Sequence, residues 1–237
     1  MTSQSRPLRC AGRARLGWKS TGGSRPLLAV AAGFAAGAIP FSNYMARWKA
    51  GVDLRSVGTG TVSGSGLSQV AGARSLFAVG LFELAKGAFG PAVAGRAHPA
   101  AQALAGGAAV AGHNWSPLLA GAGGRGISPA MGALLVTAPV GSLVLAAGLA
   151  GGKLAGETAL GSFVADVLLV PAVFAVHGRR GALCASAVLA PMLVKRLVGN
   201  SGPVRPGAGV YLTRLLFDRD TTAKTGGSSG SGGGGAS

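Results

Sequence analysis

The chain has 237 residues, of which 49% are hydrophobic and 12% are charged, about half the charged share of an average soluble domain. This composition excludes a disordered protein and a nucleic-acid-binding tail protein. The 22 lysines and arginines outnumber the 6 acidic residues, giving a net charge of +16, yet the mean hydropathy is positive. Basic flanks around apolar runs, together with 43 glycines, are typical of a membrane protein whose helices pack through small residues.

The first predicted element follows a basic flank, residues 1–25, which has six Lys or Arg and no acidic residue. An uncharged run from Pro26 to Met45 comes next. A basic flank followed by an apolar run also fits a signal peptide. However, the apolar run does not end at a clear boundary, and more apolar segments follow. We therefore predict a first transmembrane helix that is retained. Gly33 and Gly37 give this helix a GxxxG packing face.

A polar stretch from Arg47 to Arg74 is dense in Gly, Ser and Thr and is predicted to be the least helical part. Apolar segments then run at about 76–95, 100–120, 127–138, 140–152, 158–177 and 181–198. Several are shorter than the roughly 20 residues of a full span, and Pro139 divides one run into two helices. The sequence predicts an all-α fold, a polytopic integral membrane bundle of six or seven transmembrane or partly spanning helices.

The predicted domains are the flank 1–25, a membrane domain 26–200 and a tail 201–237 that is Gly/Ser-rich and disordered from 224. An apolar patch from Val210 to Phe217 could lie on a membrane surface, but a poorly ordered tail is the stronger expectation. Cys10 and Cys184 lie near opposite ends of the chain, which excludes a disulfide framework or a zinc site.

Two polar islands interrupt the apolar sequence. The first island, residues 57–69, reads VGTGTVSGSGLSQ, and the second island, residues 112–127, reads GHNWSPLLAGAGGRGI. Glycine lets successive backbone N–H groups converge on an anion, and Ser, Thr and Arg add donors and charge. Both islands are candidate phosphate cradles, although glycine-rich loops in so glycine-rich a chain are also common as plain turns.

Four ionisable side chains lie in or next to apolar runs. Glu83 and Lys86 are three residues apart, which predicts an ion pair that is either functional or a mutual neutralisation near an interface. His113 ends an apolar segment, where a histidine more often bonds a neighbour than acts as a base. Asp166 is either a buried hydrogen-bonding residue or a pathway residue, and the sequence leaves both interpretations open.

Three blocks resemble the bacterial acyl-phosphate:glycerol-3-phosphate acyltransferases, the PlsY family. They read GAIPFSNYMARWKAGVDLRSVGTGTVSGSG at 37–66, FELAKGAFGP at 82–91 and AGHNWSPLLAGAGGRGISPAMG at 111–132. The blocks keep the family's order and similar spacing, and the resemblance covers about 30–150 with a weaker continuation to about 200. Family patterns that correspond to them include GSGN, LKG and KGGKG.

The resemblance implies a seven-helix enzyme of the bacterial cell membrane. Such an enzyme moves a fatty acyl group from acyl phosphate to the 1-hydroxyl of glycerol 3-phosphate and forms lysophosphatidate. It needs no metal, cofactor or acyl-CoA, and its partners are the two substrates and the lipid bilayer rather than nucleic acid. Acyl phosphate is a reactive mixed anhydride, so the protein must mainly hold two anions and orient a hydroxyl against a carbonyl.

Carried over residue by residue, the resemblance makes Thr59, Ser65 and Arg125 the catalytic candidates. Thr59 keeps the hydroxyl of the family's serine, and Arg125 replaces a lysine with a cation of different geometry. The implied phosphate-binding residues are Gly58, Gly60, Thr61, Lys86, His113, Gly123, Gly124 and Gly126.

The chain also departs from the family at other positions. Thr61 stands where the family has asparagine, Gln69 stands where it has arginine, and the closing motif HRENxxRL has no His, Glu or Asn in residues 190–197. The alternative function is therefore a catalytically degenerate protein of the same fold that binds lipid, phosphate or a partner. A small-solute channel or transporter is a third hypothesis, which rests only on the bundle and its intramembrane Asp166 and Lys86.

The predicted orientation contains a conflict. Seven helices with cytoplasmic islands would place the N terminus outside, whereas the six basic residues before the first helix favour an N terminus inside.

Overall fold

The computed structural model describes residues 24–57, 60–199 and 208–217, and these are helical apart from short connections. The α-helices are α1 (Ser24–Ala38), α2 (Phe41–Ala50), α3 (Gly64–Ala94), α4 (Pro99–Asn114), α5 (Ile127–Thr137), α6 (Pro139–Leu154), α7 (Thr158–Val198) and α8 (Ala208–Phe217). Three segments, Ser24–Ala50, Gly64–Ala94 and Thr158–Val198, are long and apolar enough to cross a membrane, judged by length and composition. The predicted all-α membrane bundle is confirmed.

Helices α3 and α7 are each interrupted by a glycine at positive φ. Gly72 has φ 80° in α3 and Gly178 has φ 62° in α7, a conformation that glycine adopts without a steric penalty. The chain turns back after Gly178. This is shown by Arg196 in the last turn of α7, which contacts Asp166 and the Ala159 carbonyl in the first turns of the same helix. Helix α7 is therefore two antiparallel arms, 158–177 and 179–198. Within the described residues, seven helical legs run through the bundle: α1, 73–94, α4, α5, α6 and these two arms.

The break predicted at Pro139 separates α5 from α6. Proline occupies the first position of α6, where its missing N–H costs nothing. The two helices fold against each other, since the Ser142 hydroxyl donates to the Met131 carbonyl at 2.7 Å.

The first apolar run forms two helices rather than the single helix predicted from Pro26 to Met45. Helix α1 ends at Ala38 and α2 begins at Phe41, because Pro40 lacks an N–H and disfavours helical geometry at Ile39. The break leaves the Ile39 carbonyl available to a side chain from α3.

The first island is also more helical than predicted. Its second half is the start of α3, where Ser63 caps the helix by accepting a hydrogen bond from the Gly66 N–H at 3.2 Å. The run of Ser and Gly indicated a loop, and the N-cap at Ser63 was not predicted.

Small residues bring the helix backbones together. A Cβ at Gly33 or Gly37 would collide with the backbone of α4 at Ala105 or Ala109, so the predicted GxxxG face is confirmed. Helices α3 and α5 approach each other in the same way, with Gly87 against the backbone of Pro129.

Helix α8 packs on the end of α7, where the sequence favoured a poorly ordered tail. Arg214 is 8% exposed and donates to the carbonyls of Leu197 and Val198 at 3.1 and 3.0 Å. Arginine at a helix C-terminus satisfies carbonyls that have no intrahelical partner. The basic flank 1–23 and the tail from 218, with its predicted disorder from 224, lie outside the described residues.

Candidate active site

The two polar islands meet at one end of the bundle. The Val62 N–H in the first island donates to the Gly123 carbonyl in the second island at 3.1 Å. Residues 60–63 lead into α3 and residues 115–126 connect α4 to α5, so both islands are held by helix ends. Segments 61 residues apart in the chain thus form one polar centre.

Glycine is required where the second island crosses this centre. A Cβ at Gly124 would lie 2.7 Å from the Val62 carbonyl oxygen and would collide with the His113 imidazole. A Cβ at Gly123 would collide with the carbonyls of His113 and Asn114. The backbone therefore approaches the imidazole more closely than any other residue type would allow.

Beneath the islands lies a buried cluster of Glu83, Lys86 and His113. The Lys86 ammonium lies 2.8 Å from Glu83 Oε2 and 2.9 Å from His113 Nδ1, and His113 Nδ1 lies 3.2 Å from Glu83 Oε2. The Lys86 and Glu83 side chains are 2% and 6% exposed. The predicted ion pair is confirmed, and burial gives it far less screening than a surface pair.

Backbone and hydroxyl groups complete this cluster. Lys86 also donates to the Ile39 carbonyl at 2.8 Å, the carbonyl left open by the break at Pro40, and the Ser42 hydroxyl donates to Glu83 Oε1 at 3.4 Å. Three acceptors account for the three N–H donors of a lysine ammonium. Lys86 thus ties α1, α3 and α4 together, and its predicted contact with a substrate phosphate stays a prediction.

A second group of cations lies where the last turn of α7 reaches the second island. Arg125 Nη1 donates to the Lys195 carbonyl at 3.1 Å. The Lys195 side chain is buried, with its residue 1% exposed, and its ammonium lies 5.3 Å from the centroid of the Trp115 ring. The predicted catalytic residue Arg125 is thereby placed beside a second basic residue from the far end of the chain.

The loop before the first island is held by its own charge network. Asp53 pairs with Arg47 and accepts hydrogen bonds from Arg55, with Arg55 Nη2 at 2.7 Å. The pKa of the Asp53 carboxyl lies well below its ordinary value, mainly because Arg55 donates a hydrogen bond to it. A hydrogen bond from Arg47 lowers this pKa further. Asn43, 1% exposed, accepts the Leu54 N–H at 2.8 Å, so this turn is fixed from both sides.

The other predicted residues that the structure describes lie at the same end, with different surroundings. Ser65 is exposed in the first turn of α3, and its Oγ lies 3.0 Å from Ser63 Oγ. Gly60 has φ 71°, and Thr61 is 9% exposed. Gly126 has φ 81° at the start of α5. Gly58 and Thr59 lie outside the described residues, so the structure places neither of them.

Sequence reasoning missed three polar residues of this region, namely Asn43, Asn114 and Lys195. Asn114 is fully buried and donates to the Pro191 carbonyl at 2.8 Å, which joins α4 to the last arm of α7. Asn43 and Asn114 stand inside two of the sequence blocks quoted above, so an amide in an apolar run was the available signal. No local pattern indicates that Lys195 is buried, because its burial follows only from tertiary packing.

These features define a class of protein: a polytopic helical membrane protein with a glycine-lined, cation-rich polar centre at one end of its bundle. A profile of the family described as "Glycerol-3-phosphate acyltransferase" matches residues 27–202. The chain belongs to the glycerol-3-phosphate acyltransferase family.

Curated relatives align over different shares of their length. The chain is 40% identical over 115 residues to "Glycerol-3-phosphate acyltransferase 5" of Dehalococcoides mccartyi, which covers 48% of this chain and 49% of the relative. It is 32% identical over 171 residues to "Glycerol-3-phosphate acyltransferase" of a Synechococcus species, covering 71% and 85%. The chain thus spans about half the length of the Dehalococcoides relative.

The fold is that of a solved membrane protein. The crystal structure of "PlsY (YgiH), an integral membrane glycerol 3-phosphate acyltransferase", in its glycerol 3-phosphate form, superposes with a TM-score of 0.66 at 24% identity. The superposition covers 73% of this chain and 88% of the solved chain. At this identity the likeness establishes the fold.

Proposed function

We propose that the chain transfers a fatty acyl group from acyl phosphate to the 1-hydroxyl of glycerol 3-phosphate and forms lysophosphatidate. The observation that carries the proposal is the meeting of the two islands, through Val62 and Gly123, beside Arg125. Family membership and the printed names of its relatives support the same activity.

The reaction suits a centre made of backbone, hydroxyls and cations. The 1-hydroxyl oxygen attacks the carbonyl carbon of acyl phosphate, the carbon–oxygen bond to phosphate breaks, and the hydroxyl proton passes to the released phosphate or to water. The leaving group is already activated, so the protein's contribution is to hold two anions close together and to stabilise charge at the carbonyl oxygen.

Within this proposal, Arg125, Thr59 and Ser65 touch the reacting groups. Arg125 supplies charge and paired donors to a phosphate, and the two hydroxyls orient the attacking oxygen. Gly58, Gly60, Thr61, Gly123, Gly124 and Gly126 supply the close backbone approach. Lys86 adds positive charge beneath the islands, where the low dielectric strengthens it, and His113 places its imidazole against the backbone of the second island.

The location follows from the same substrates. We propose a multi-pass protein of the bacterial cell membrane whose islands face the cytoplasm, because glycerol 3-phosphate is charged and does not cross the bilayer unaided.

The test is phosphate release by the protein purified in detergent, supplied with palmitoyl phosphate and glycerol 3-phosphate. We expect release to require both substrates and to fall at least about 100-fold in Arg125→Ala, since one oriented charge at a transition state contributes roughly 3 kcal/mol. Lys153→Ala is the matched control, because Lys153 is an exposed cation at the end of α6, outside the site. An unchanged rate in Arg125→Ala would contradict the assignment of Arg125.

The alternative is a catalytically degenerate protein of the same fold. It is favoured by one observation, the absence of His, Glu and Asn from residues 190–197. Folded, monodisperse protein that releases no phosphate but is stabilised against heating by glycerol 3-phosphate would establish this alternative.

A further inference from the structure

Among the described residues, Lys195 is the most deeply buried charged side chain. The proposed activity does not use its charge. It lies in the last turn of α7 and is 1% exposed. Among the described residues the other buried basic groups have acidic or carbonyl partners: Lys86 contacts Glu83, Arg196 contacts Asp166, and Arg214 contacts two carbonyls. The ammonium of Lys195 instead faces the ring of Trp115.

A ring face compensates only part of the cost of burying this charge. The attraction between a cation and the face of a tryptophan ring is weaker than the free energy that an ammonium loses when it leaves water. Salt bridges between described residues include none from Lys195. Among the described residues, therefore, no acidic side chain balances the charge of Lys195.

The position at a helix C-terminus does not account for Lys195. Cations at that end stabilise the helix by approaching its last carbonyls, but three of those carbonyls already have other partners. The Lys195 carbonyl accepts from Arg125 and from the Gly199 N–H at 2.9 Å, and Arg214 donates to the carbonyls of Leu197 and Val198. A helical side chain also points back along its helix, which carries the ammonium away from the carbonyls and over Trp115.

A cleft opens at this point. It has a volume of about 330 Å³ and is lined by Trp115, Lys195, Val198, Gly199 and residues 120–122 of the second island. This volume lies at the lower end of the range of about 300–1,000 Å³ for small-molecule sites. Lys195 thus combines burial, a position on the cleft wall and closeness to Arg125, which is what an anion site requires.

We propose that Lys195, next to Arg125, binds a phosphate monoester or acyl phosphate dianion in this cleft. A phosphate group brings the negative charge that the cleft lacks, and its oxygens accept hydrogen bonds from the Lys195 ammonium, while Arg125, which contacts the Lys195 backbone, adds positive charge nearby. Lys195 would in this way supply a phosphate contact from the same segment in which the family's closing motif is missing. The anion site stands on the geometry alone, whereas the identity of the phosphate as substrate rests on the proposed function.

The first measurement is thermal unfolding in a neutral detergent with and without inorganic phosphate. The variant is Lys195→Met, which keeps the length of the side chain and removes a buried charge, so we expect it to fold. The control is Lys153→Met, which removes an exposed cation at the same end of the bundle. We expect phosphate to raise the Tm of the wild type and of the control, and to bind Lys195→Met at least about 10-fold more weakly, as for a lost hydrogen bond to a charged group.

An equal phosphate-induced shift in Lys195→Met and in the wild type would overturn the proposal. No shift in the wild type at millimolar phosphate would overturn it as well, because the cleft would then hold no phosphate at relevant concentrations.

Steady-state kinetics then identify the source of the phosphate. If the cleft binds glycerol 3-phosphate, Lys195→Met raises the KM for that substrate and leaves the KM for palmitoyl phosphate near its wild-type value. If it binds acyl phosphate, the two results are exchanged, and Lys195→Arg restores much of the affinity in either case. A wild type with no turnover would refute the proposed function, while the unfolding experiment would still decide the anion site.

Discussion

At the scale of single residues, the ionisable groups within the bundle lie in places that composition alone does not reveal. The pairing of Glu83 with Lys86 follows from their spacing of three, which places them on one helix face. The third partner, His113, comes from a different helix, and no local pattern connects residues 27 positions apart. The sequence left the role of Asp166 open. In the structure Asp166 pairs with Arg196 at 3.2 Å, and this partner is also distant in the chain.

Removing one partner of the Glu83–Lys86 pair should be far more damaging than removing both charges. Lys86→Met leaves a buried carboxylate without its main partner and frees the Ile39 carbonyl, so we expect a loss of about 3–5 kcal/mol in the free energy of unfolding. Glu83→Gln combined with Lys86→Met should recover part of that loss, because no unpaired charge remains. Reversible unfolding in detergent micelles measures both variants. A double variant less stable than Lys86→Met would contradict the ion-pair interpretation.

At the scale of helices, the lengths of the helices and the residues that break them could be predicted well. Helix ends that depend on a single cap or on contacts with another helix could not. Pro139 and the segment bounds near 158–177 and 181–198 predicted α5, α6 and the two arms of α7 closely. The start of α3 was missed because its cap depends on one hydroxyl, that of Ser63, in a run that reads as loop. Helix α8 was missed because its stability depends on α7, a contact that no local periodicity encodes.

Backbone contact between α3 and α5 gives a matched pair of variants within one helix. Gly87→Ala places a methyl group in the backbone of Pro129, whereas Gly80→Ala meets nothing within 4 Å. We expect Gly87→Ala to lose about 1–3 kcal/mol of stability through overpacking, and Gly80→Ala to be neutral or to gain up to about 1 kcal/mol, as a glycine replaced in an unstrained helix position. The midpoint of thermal unfolding separates the two. Equal midpoints would mean that the helices are free to move apart at Gly87.

At the scale of the whole molecule, the seven described legs place the islands and the turn between α3 and α4 at opposite ends of the bundle. Basic residues occur at both ends, with Arg47 and Lys153 at the island end and Arg96 and Arg179 at the other. The conflict in the predicted orientation comes from the flank 1–25, whose six basic residues favour an N terminus inside.

Orientation can be measured with single cysteines in a background in which Cys10 and Cys184 are replaced by serine and alanine. Ala97→Cys lies in the turn between α3 and α4, and Ala155→Cys lies between α6 and α7 at the island end; both positions are exposed. If the islands face the cytoplasm, a membrane-impermeant maleimide labels the cysteine at 97 in intact spheroplasts and labels the one at 155 only after lysis. The opposite pattern would place the islands outside and contradict the proposed access to glycerol 3-phosphate.

The turn at Gly178 joins two antiparallel helices through a single non-helical residue. With no spare length there, one inserted residue would rotate the whole last arm by about 100° relative to its neighbours. Such a rotation would remove Arg196 from Asp166 and Lys195 from Trp115 at the far end of the arm, about 25 Å away. We therefore expect natural insertions and deletions to avoid this turn.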